Sequence, residues 1–95
     1  MTLRADLAQI ADWIAPGSRV LDLGCGDGTL LAYLRDAKDC RGYGVELNDE
    51  HVAHCVRARI NVVQQNLDAG LRMFDDDMFD TVVLSQTLQA MHNAE

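Results

Sequence analysis

The stretch VLDLGCGDGTLLAYL, which begins at Val20, constrains the fold more than any other part of the chain. Its apolar start is typical of a buried parallel strand, and its later leucines recur at helical spacing. Between them, Gly24, Gly26 and Gly28 lack Cβ atoms, so the backbone can turn tightly and a ligand can approach the amides at the helix N-terminus. Glycines at a bend also serve close helix–strand packing, so this motif alone leaves a purely structural role open.

Helix and strand patterns alternate along the rest of the chain. Apolar residues at helical spacing predict an amphipathic helix over residues 1–14, which Pro16-Gly17 ends. Strands are predicted at 19–23, 42–47, 60–65 and 79–85, and further helices at 29–37, 50–59, 67–74 and from Gln86 onward. This rhythm predicts an α/β fold with a parallel sheet and right-handed crossovers.

Charge and cysteine content exclude several classes of function. Fifteen acidic residues stand against eight basic ones, a net charge of −7, so no basic stripe is available for nucleic acid. No apolar run approaches the roughly 18 residues of a membrane span, and no signal peptide is evident, which predicts a cytoplasmic protein without membrane contact. Three widely spaced cysteines indicate reduced thiols rather than a disulfide framework.

An acidic residue in the second predicted strand indicates which ligand the bend serves. Glu46 ends that strand about twenty residues past the bend, where a carboxylate can accept both ribose hydroxyls of a nucleoside. The spacing is G-x-G-x-G, with Thr29 at the remaining position of a dinucleotide fingerprint, and Asp22 and Asp27 would repel a phosphate. A phosphate-free cationic nucleoside fits better. S-adenosylmethionine is one, with a single carboxylate for the amides to hold; a dinucleotide-binding fragment is the weaker alternative.

The motifs resemble those of class I S-adenosylmethionine-dependent methyltransferases. VLDLGCGDG looks like their first motif, and YGVEL, VVQQNLD and FDTVVLS resemble the next three in order. More narrowly, the chain is similar to the MetW family of methionine biosynthesis, in which LDAGL and LSQTLQA are the more specific stretches. The resemblance implies S-adenosylmethionine or S-adenosylhomocysteine as cofactor, and homoserine O-acyltransferase as partner.

The resemblance also assigns roles to individual positions. Gly24 and Gly26 would line the methionine end of the cofactor, with Asp22 beneath it, while Glu46 would hold the ribose. Asn66 stands where the family prefers aspartate, which costs a charge-assisted bond to the adenine. The implied cofactor-binding residues are Asp22, Gly24, Cys25, Gly26, Glu46, Leu47, Asn66, Leu67 and Ser85.

The methyltransferase resemblance implies a Rossmann-like three-layer sandwich, of which this chain supplies the first four strands in the order 3-2-1-4. Residues 1–95 would then be the N-terminal half of a single methyltransferase-like domain. The fourth strand would lie at an open edge, and we therefore expect self-association through that edge.

Three other constellations have ordinary structural alternatives. Cys25 is a candidate nucleophile or a small apolar filler between glycines. His51, His54 and Cys55 share a helix face but lack a fourth ligand, so no metal site is predicted. Ser85 and Gln86 end the fourth strand and can touch a methyl acceptor or cap a helix. No catalytic residue is assigned, and the sequence leaves catalytic turnover open.

Overall fold

The computed structural model describes residues 4–75, 77–85 and 89–92. In that part of the chain, helices and strands alternate as the sequence pattern predicts, up to Ser85. The elements are α1 Ala5–Trp13, β1 Arg19–Leu23, α2 Thr29–Lys38, β2 Arg41–Glu46, α3 Asp49–Arg57, β3 Val62–Gln64, α4 Leu67–Arg72, β4 Thr81–Leu84 and β5 Gln89–His92.

The strands form one sheet with the order β3-β2-β1-β4-β5. β1 lies at its centre and pairs in parallel with both β2 and β4, so that Asp22 is in register with Gly44 on one side and Val83 on the other. β2 in turn pairs in parallel with β3. The predicted Rossmann-like order 3-2-1-4 is confirmed.

The predicted helix from Gln86 onward is wrong over residues 89–92, which form β5 antiparallel to β4. Residues 86–88 of that predicted helix lie outside the described residues. Pairing with β5 satisfies the N–H and C=O groups on the outer side of β4, which a helix in that place would leave open. β4 is therefore an inner strand, and the prediction of self-association through its open edge loses its basis.

Two apolar clusters lie on opposite faces of the sheet and make the fold a three-layer sandwich. The first joins α1, α2 and α3 to one face, and the second joins the α4 side to the other. The first contains Leu7, Ile10, Ala11, Ile14, Val20, Cys25, Leu30, Leu31, Ala32, Leu34, Cys40, Cys55, Ile60 and Val83. The second contains Leu21, Leu23, Val45 and Phe79, with Tyr43, Phe74, Val82 and Leu84 against it.

Close packing holds the glycine bend against β2. A Cβ atom on Gly44 would lie 2.5 Å from the Sγ atom of Cys25, a separation that side chains do not tolerate. The glycine therefore lets the bend approach the strand at the edge where β1 and β2 end. In parallel α/β sheets, ligands bind at this carboxyl edge.

Candidate functional site

The bend between β1 and α2 needs glycine for its backbone conformation. Gly24, Gly26 and Gly28 have φ angles of 77°, 59° and 83°, a left-handed region that residues with a Cβ atom rarely adopt. At Gly28 space is also lacking, because a Cβ atom would lie 2.5 Å from the Cδ1 atom of Ile60. The structural role that the sequence left open is thus real at these positions.

The amides of the bend are largely satisfied within the protein. Five of them donate to protein acceptors: Gly24 and Cys25 to the carbonyl of Val45 (2.7 and 3.1 Å), Gly26 to Oε1 of Glu46 (2.8 Å), Gly28 to the carbonyl of Cys25 (3.1 Å) and Thr29 to Oδ1 of Asp27 (3.0 Å). The amides expected to hold a ligand carboxylate are therefore already engaged at these five residues.

Glu46 is bonded directly to the bend. Its Oε1 accepts the N–H of Gly26 at 2.8 Å, and its Oε2 accepts the N–H of Asn48 at 3.0 Å. Burial by itself would raise the pKa of Glu46, but the N–H donors of Asn48 and Gly26, together with the nearby His51, hold the pKa below its usual range. The carboxylate at the end of β2 is therefore ionised at neutral pH and lies against the bend, as the sequence predicts.

Asp22 is fully buried beneath the bend and is bonded to Ser85. Its Oδ2 accepts the hydroxyl of Ser85 at 2.9 Å, and its Oδ1 accepts the N–H of the same residue at 3.2 Å. Burial raises the pKa of Asp22 to about 7, although the two bonds from Ser85 act in the opposite direction. Ser85 also lines the cavity that opens beside the bend, so it lies between this carboxyl group and that cavity.

Asp27 has a structural partner that the sequence analysis did not anticipate. Its Oδ1 accepts both the hydroxyl and the N–H of Thr29, at 2.6 and 3.0 Å, at the start of α2. The hydroxyl bond from Thr29 is the main reason that the pKa of Asp27 lies below its usual value. The aspartate therefore stabilises the first turn of α2 and adds a negative charge beside the bend.

The buried thiols of Cys25 and Cys55 both donate to the carbonyl of Gly26, at 3.7 and 3.4 Å. Burial is the main cause that raises the pKa of each thiol, which disfavours the thiolate that a nucleophile needs. In the part of the chain that the structure describes, no group of three or more histidine, cysteine or acidic side chains is arranged to hold a metal ion.

The residues expected to hold the adenosine lie where β2 and β3 end. Leu47 and Leu67 are exposed apolar side chains, 63% and 46% accessible, so they have free surface to pack on a ring. The side chain of Asn66 caps α4 by accepting the N–H of Ala69 at 2.8 Å. The N–H of Gln65 donates to the carbonyl of Glu46 at 3.2 Å, which joins this edge to the bend.

A cavity of about 590 Å³ opens beside the bend. Three of the predicted site residues line it: Cys25, Gly26 and Ser85. The cavity is also lined by residues of which only Asp27 and Thr29 belong to the predicted ligand-binding motif; these are Arg4, Asp6, Leu7, Asp27, Thr29, Leu30 and His51. Gln86, the other candidate for contact with an acceptor, lies outside the described residues.

Comparison with known proteins settles the family. The family model described as methionine biosynthesis protein MetW matches residues 4–95. This chain belongs to the MetW family. The bifunctional methionine biosynthesis protein MetXA/MetW of Rhodopirellula baltica is 42% identical over 101 residues, which cover 98% of this chain and 16% of that protein. The chain thus spans about one sixth of the length of this relative.

Solved structures agree with the fold. A SAM-dependent methyltransferase from Archaeoglobus fulgidus has a TM-score of 0.69 and 28% identity, covering 82% of this chain and 34% of that one. A SAM-dependent methyltransferase from Geobacter sulfurreducens, in complex with S-adenosyl-L-homocysteine, has a TM-score of 0.55 and 26% identity, covering 66% of this chain and 29% of that one. The MetW chain thus has a methyltransferase-like Rossmann fold.

None of the helices that the structure describes combines the length and the apolar character needed to cross a bilayer.

The buried carboxyl group of Asp22 should make the stability of the protein depend on pH. Its folded pKa of about 7 lies above the ordinary value of 3.8 for an aspartate, so between these pH values the folded state keeps a proton that the unfolded chain has lost. The contribution of Asp22 to the free energy of unfolding therefore falls as pH rises from about 4 to 7, by at most about 1.4 kcal/mol per pH unit, and is constant above.

Asp22→Asn removes this titration while retaining an acceptor for the N–H of Ser85. Denaturant unfolding of both proteins from pH 4 to 8 should show the difference in stability changing between pH 4 and 7 in favour of the variant. Parallel curves for the two proteins would contradict the buried, protonated state.

Proposed function

We propose that this MetW chain binds S-adenosylmethionine or S-adenosylhomocysteine at the bend and takes part in methionine biosynthesis together with homoserine O-acyltransferase. The observation that carries the cofactor part is the hydrogen bond from the N–H of Gly26 to the carboxylate of Glu46. It brings together the two features that recognition of an adenosyl group requires, a close-approach backbone and an acceptor for the ribose hydroxyls.

The carboxylate of Glu46 retains capacity for a ligand. Each of its oxygens accepts one backbone N–H, and an ionised carboxylate oxygen can accept a second bond. The side chain is 10% exposed, so it is reachable from the surface yet shielded enough for its charge to matter. In this proposal the ribose hydroxyls donate to Glu46, while Leu47 and Leu67 pack on the adenine and Asn66 lies at its edge.

The negative charges around the bend support a cationic ligand without phosphates. Asp27 and Glu46 have lowered pKa values, so both are ionised at neutral pH and oppose a pyrophosphate. The sulfonium and ammonium of S-adenosylmethionine suit this environment. The complex of the Geobacter sulfurreducens methyltransferase with S-adenosyl-L-homocysteine supports the same ligand class.

Calorimetric titration of the full-length protein tests the cofactor. S-adenosylmethionine and S-adenosylhomocysteine should bind, and Glu46→Gln should weaken both by roughly 10- to 100-fold, because the charge-assisted ribose bonds are lost. Asp36→Asn removes the same charge from the exposed face of α2 and should leave the affinity unchanged. A folded Glu46→Gln protein that binds like wild type, or tighter binding of NAD, would remove Glu46 and the adenosyl ligand from the account.

The partnership rests on the name of the Rhodopirellula baltica relative, which joins MetXA and MetW in one bifunctional protein. Fusion of two units is consistent with joint action in one pathway.

Methyl transfer to a small molecule is the second candidate function, favoured by the similarity to the Archaeoglobus fulgidus methyltransferase. The sulfonium is already activated, so positioning can carry most of such a reaction.

Co-purification separates these two candidates. The full-length protein should co-purify with homoserine O-acyltransferase and raise its activity. If it does neither, yet converts S-adenosylmethionine to S-adenosylhomocysteine in the presence of a metabolite, the partnership is wrong and the methyltransferase takes its place.

A further inference from the structure

Most N–H groups of the bend donate within the protein, so few of them remain to bind the carboxylate of the proposed ligand. A helix N-terminus usually offers its free N–H groups to an anion. Here five amides of the bend already donate to acceptors within the protein. Asp27 adds a like charge at the same place, because its carboxylate is fixed beside the bend by Thr29. A ligand carboxylate therefore needs another positive partner.

Arg4 is the candidate for that partner. Among the described residues that line the 590 Å³ cavity, Arg4 is the one lysine or arginine. The lining also contains the acidic residues Asp6 and Asp27. A guanidinium presents several N–H donors in a planar fork that matches a carboxylate in two-point contact. Arg4 stands at the N-cap position of α1, but its side chain makes no capping hydrogen bond there.

Asp6 holds the guanidinium of Arg4 in the cavity lining and occupies only one of its N–H groups. The Nε–H of Arg4 donates to Oδ1 of Asp6 at 3.2 Å, which uses one of the five guanidinium N–H groups. The same oxygen accepts the N–H of Leu7 at 2.8 Å, so the carboxylate is fixed to the first turn of α1. The packing of Leu7 in the same apolar cluster as Leu30 joins this turn to α2.

We propose that Arg4 binds the α-carboxylate of the amino-acid end of the ligand and so selects ligands that carry this group. The proposal rests on the proposed function, because it takes S-adenosylmethionine or S-adenosylhomocysteine as the ligand. Arg4 is thus a specificity residue, supplied by the N-cap position of α1 rather than by the glycine bend.

Two ligands that differ by one group test the proposal. S-adenosylhomocysteine and its decarboxylated analogue are titrated into the full-length wild type, Arg4→Gln and Arg57→Gln. Arg4→Gln should weaken S-adenosylhomocysteine by about tenfold, the lower end for a charged bond because the side chain is exposed, and should leave the analogue unchanged. Arg57→Gln removes the same charge from the neighbouring cavity and should change neither affinity.

Each other outcome has a definite meaning. Equal weakening of both ligands by Arg4→Gln, or no weakening of either, overturns the assignment. An effect of Arg57→Gln as large as that of Arg4→Gln also overturns it, since the cause would be the general field. If the wild type binds S-adenosylhomocysteine and only the Arg4 result fails, the proposed function survives; if the wild type binds neither ligand, both proposals fall.

Discussion

The contact between the N–H of Gly26 and the carboxylate of Glu46 links the two halves of the candidate site. It closes the β1–α2 bend onto the end of β2 and sets the distance between a bare backbone and a charged acceptor. The contact depends on glycine twice, because Gly26 has a positive φ angle and because Gly44 lets Cys25 pack against β2. A shielded carboxylate with two N–H donors remains ionised, which is the state that recognition of ribose requires.

Near this contact, two sets of buried polar groups are bonded within the protein, whereas Nδ1 of His51, 3.6 Å from Oε2 of Glu46, has no hydrogen-bond partner among the described residues. Asp22 and Ser85 bond to each other at the ends of β1 and β4, while two thiols donate to the carbonyl of Gly26. Such satisfied groups hold the carboxyl edge of the sheet in one arrangement, since breaking any pair would leave a buried polar atom without a partner. Five amides of the bend are likewise engaged within the protein, which is the basis for assigning the acidic group of the proposed ligand to Arg4.

The sequence predicted the parts of the fold that depend on local pattern and on handedness. The apolar run before Gly24, the glycine spacing and the acidic end of β2 predict the bend and a carboxylate near it, and the resemblance to class I methyltransferases implies the strand order. The prediction failed at residues 89–92, because their pairing with β4 is a tertiary choice that periodicity does not report. It also missed Arg4 and His51 in the cavity lining, since only the packing of α1 and α3 on the sheet brings them there.

A crystal structure of the full-length protein with S-adenosylhomocysteine would show whether Glu46 holds the ribose. Both ribose hydroxyls should lie within about 2.5–3.2 Å of the Glu46 carboxylate, with the contact between Gly26 and Glu46 intact. A ligand bound with its ribose away from the end of β2 would contradict it.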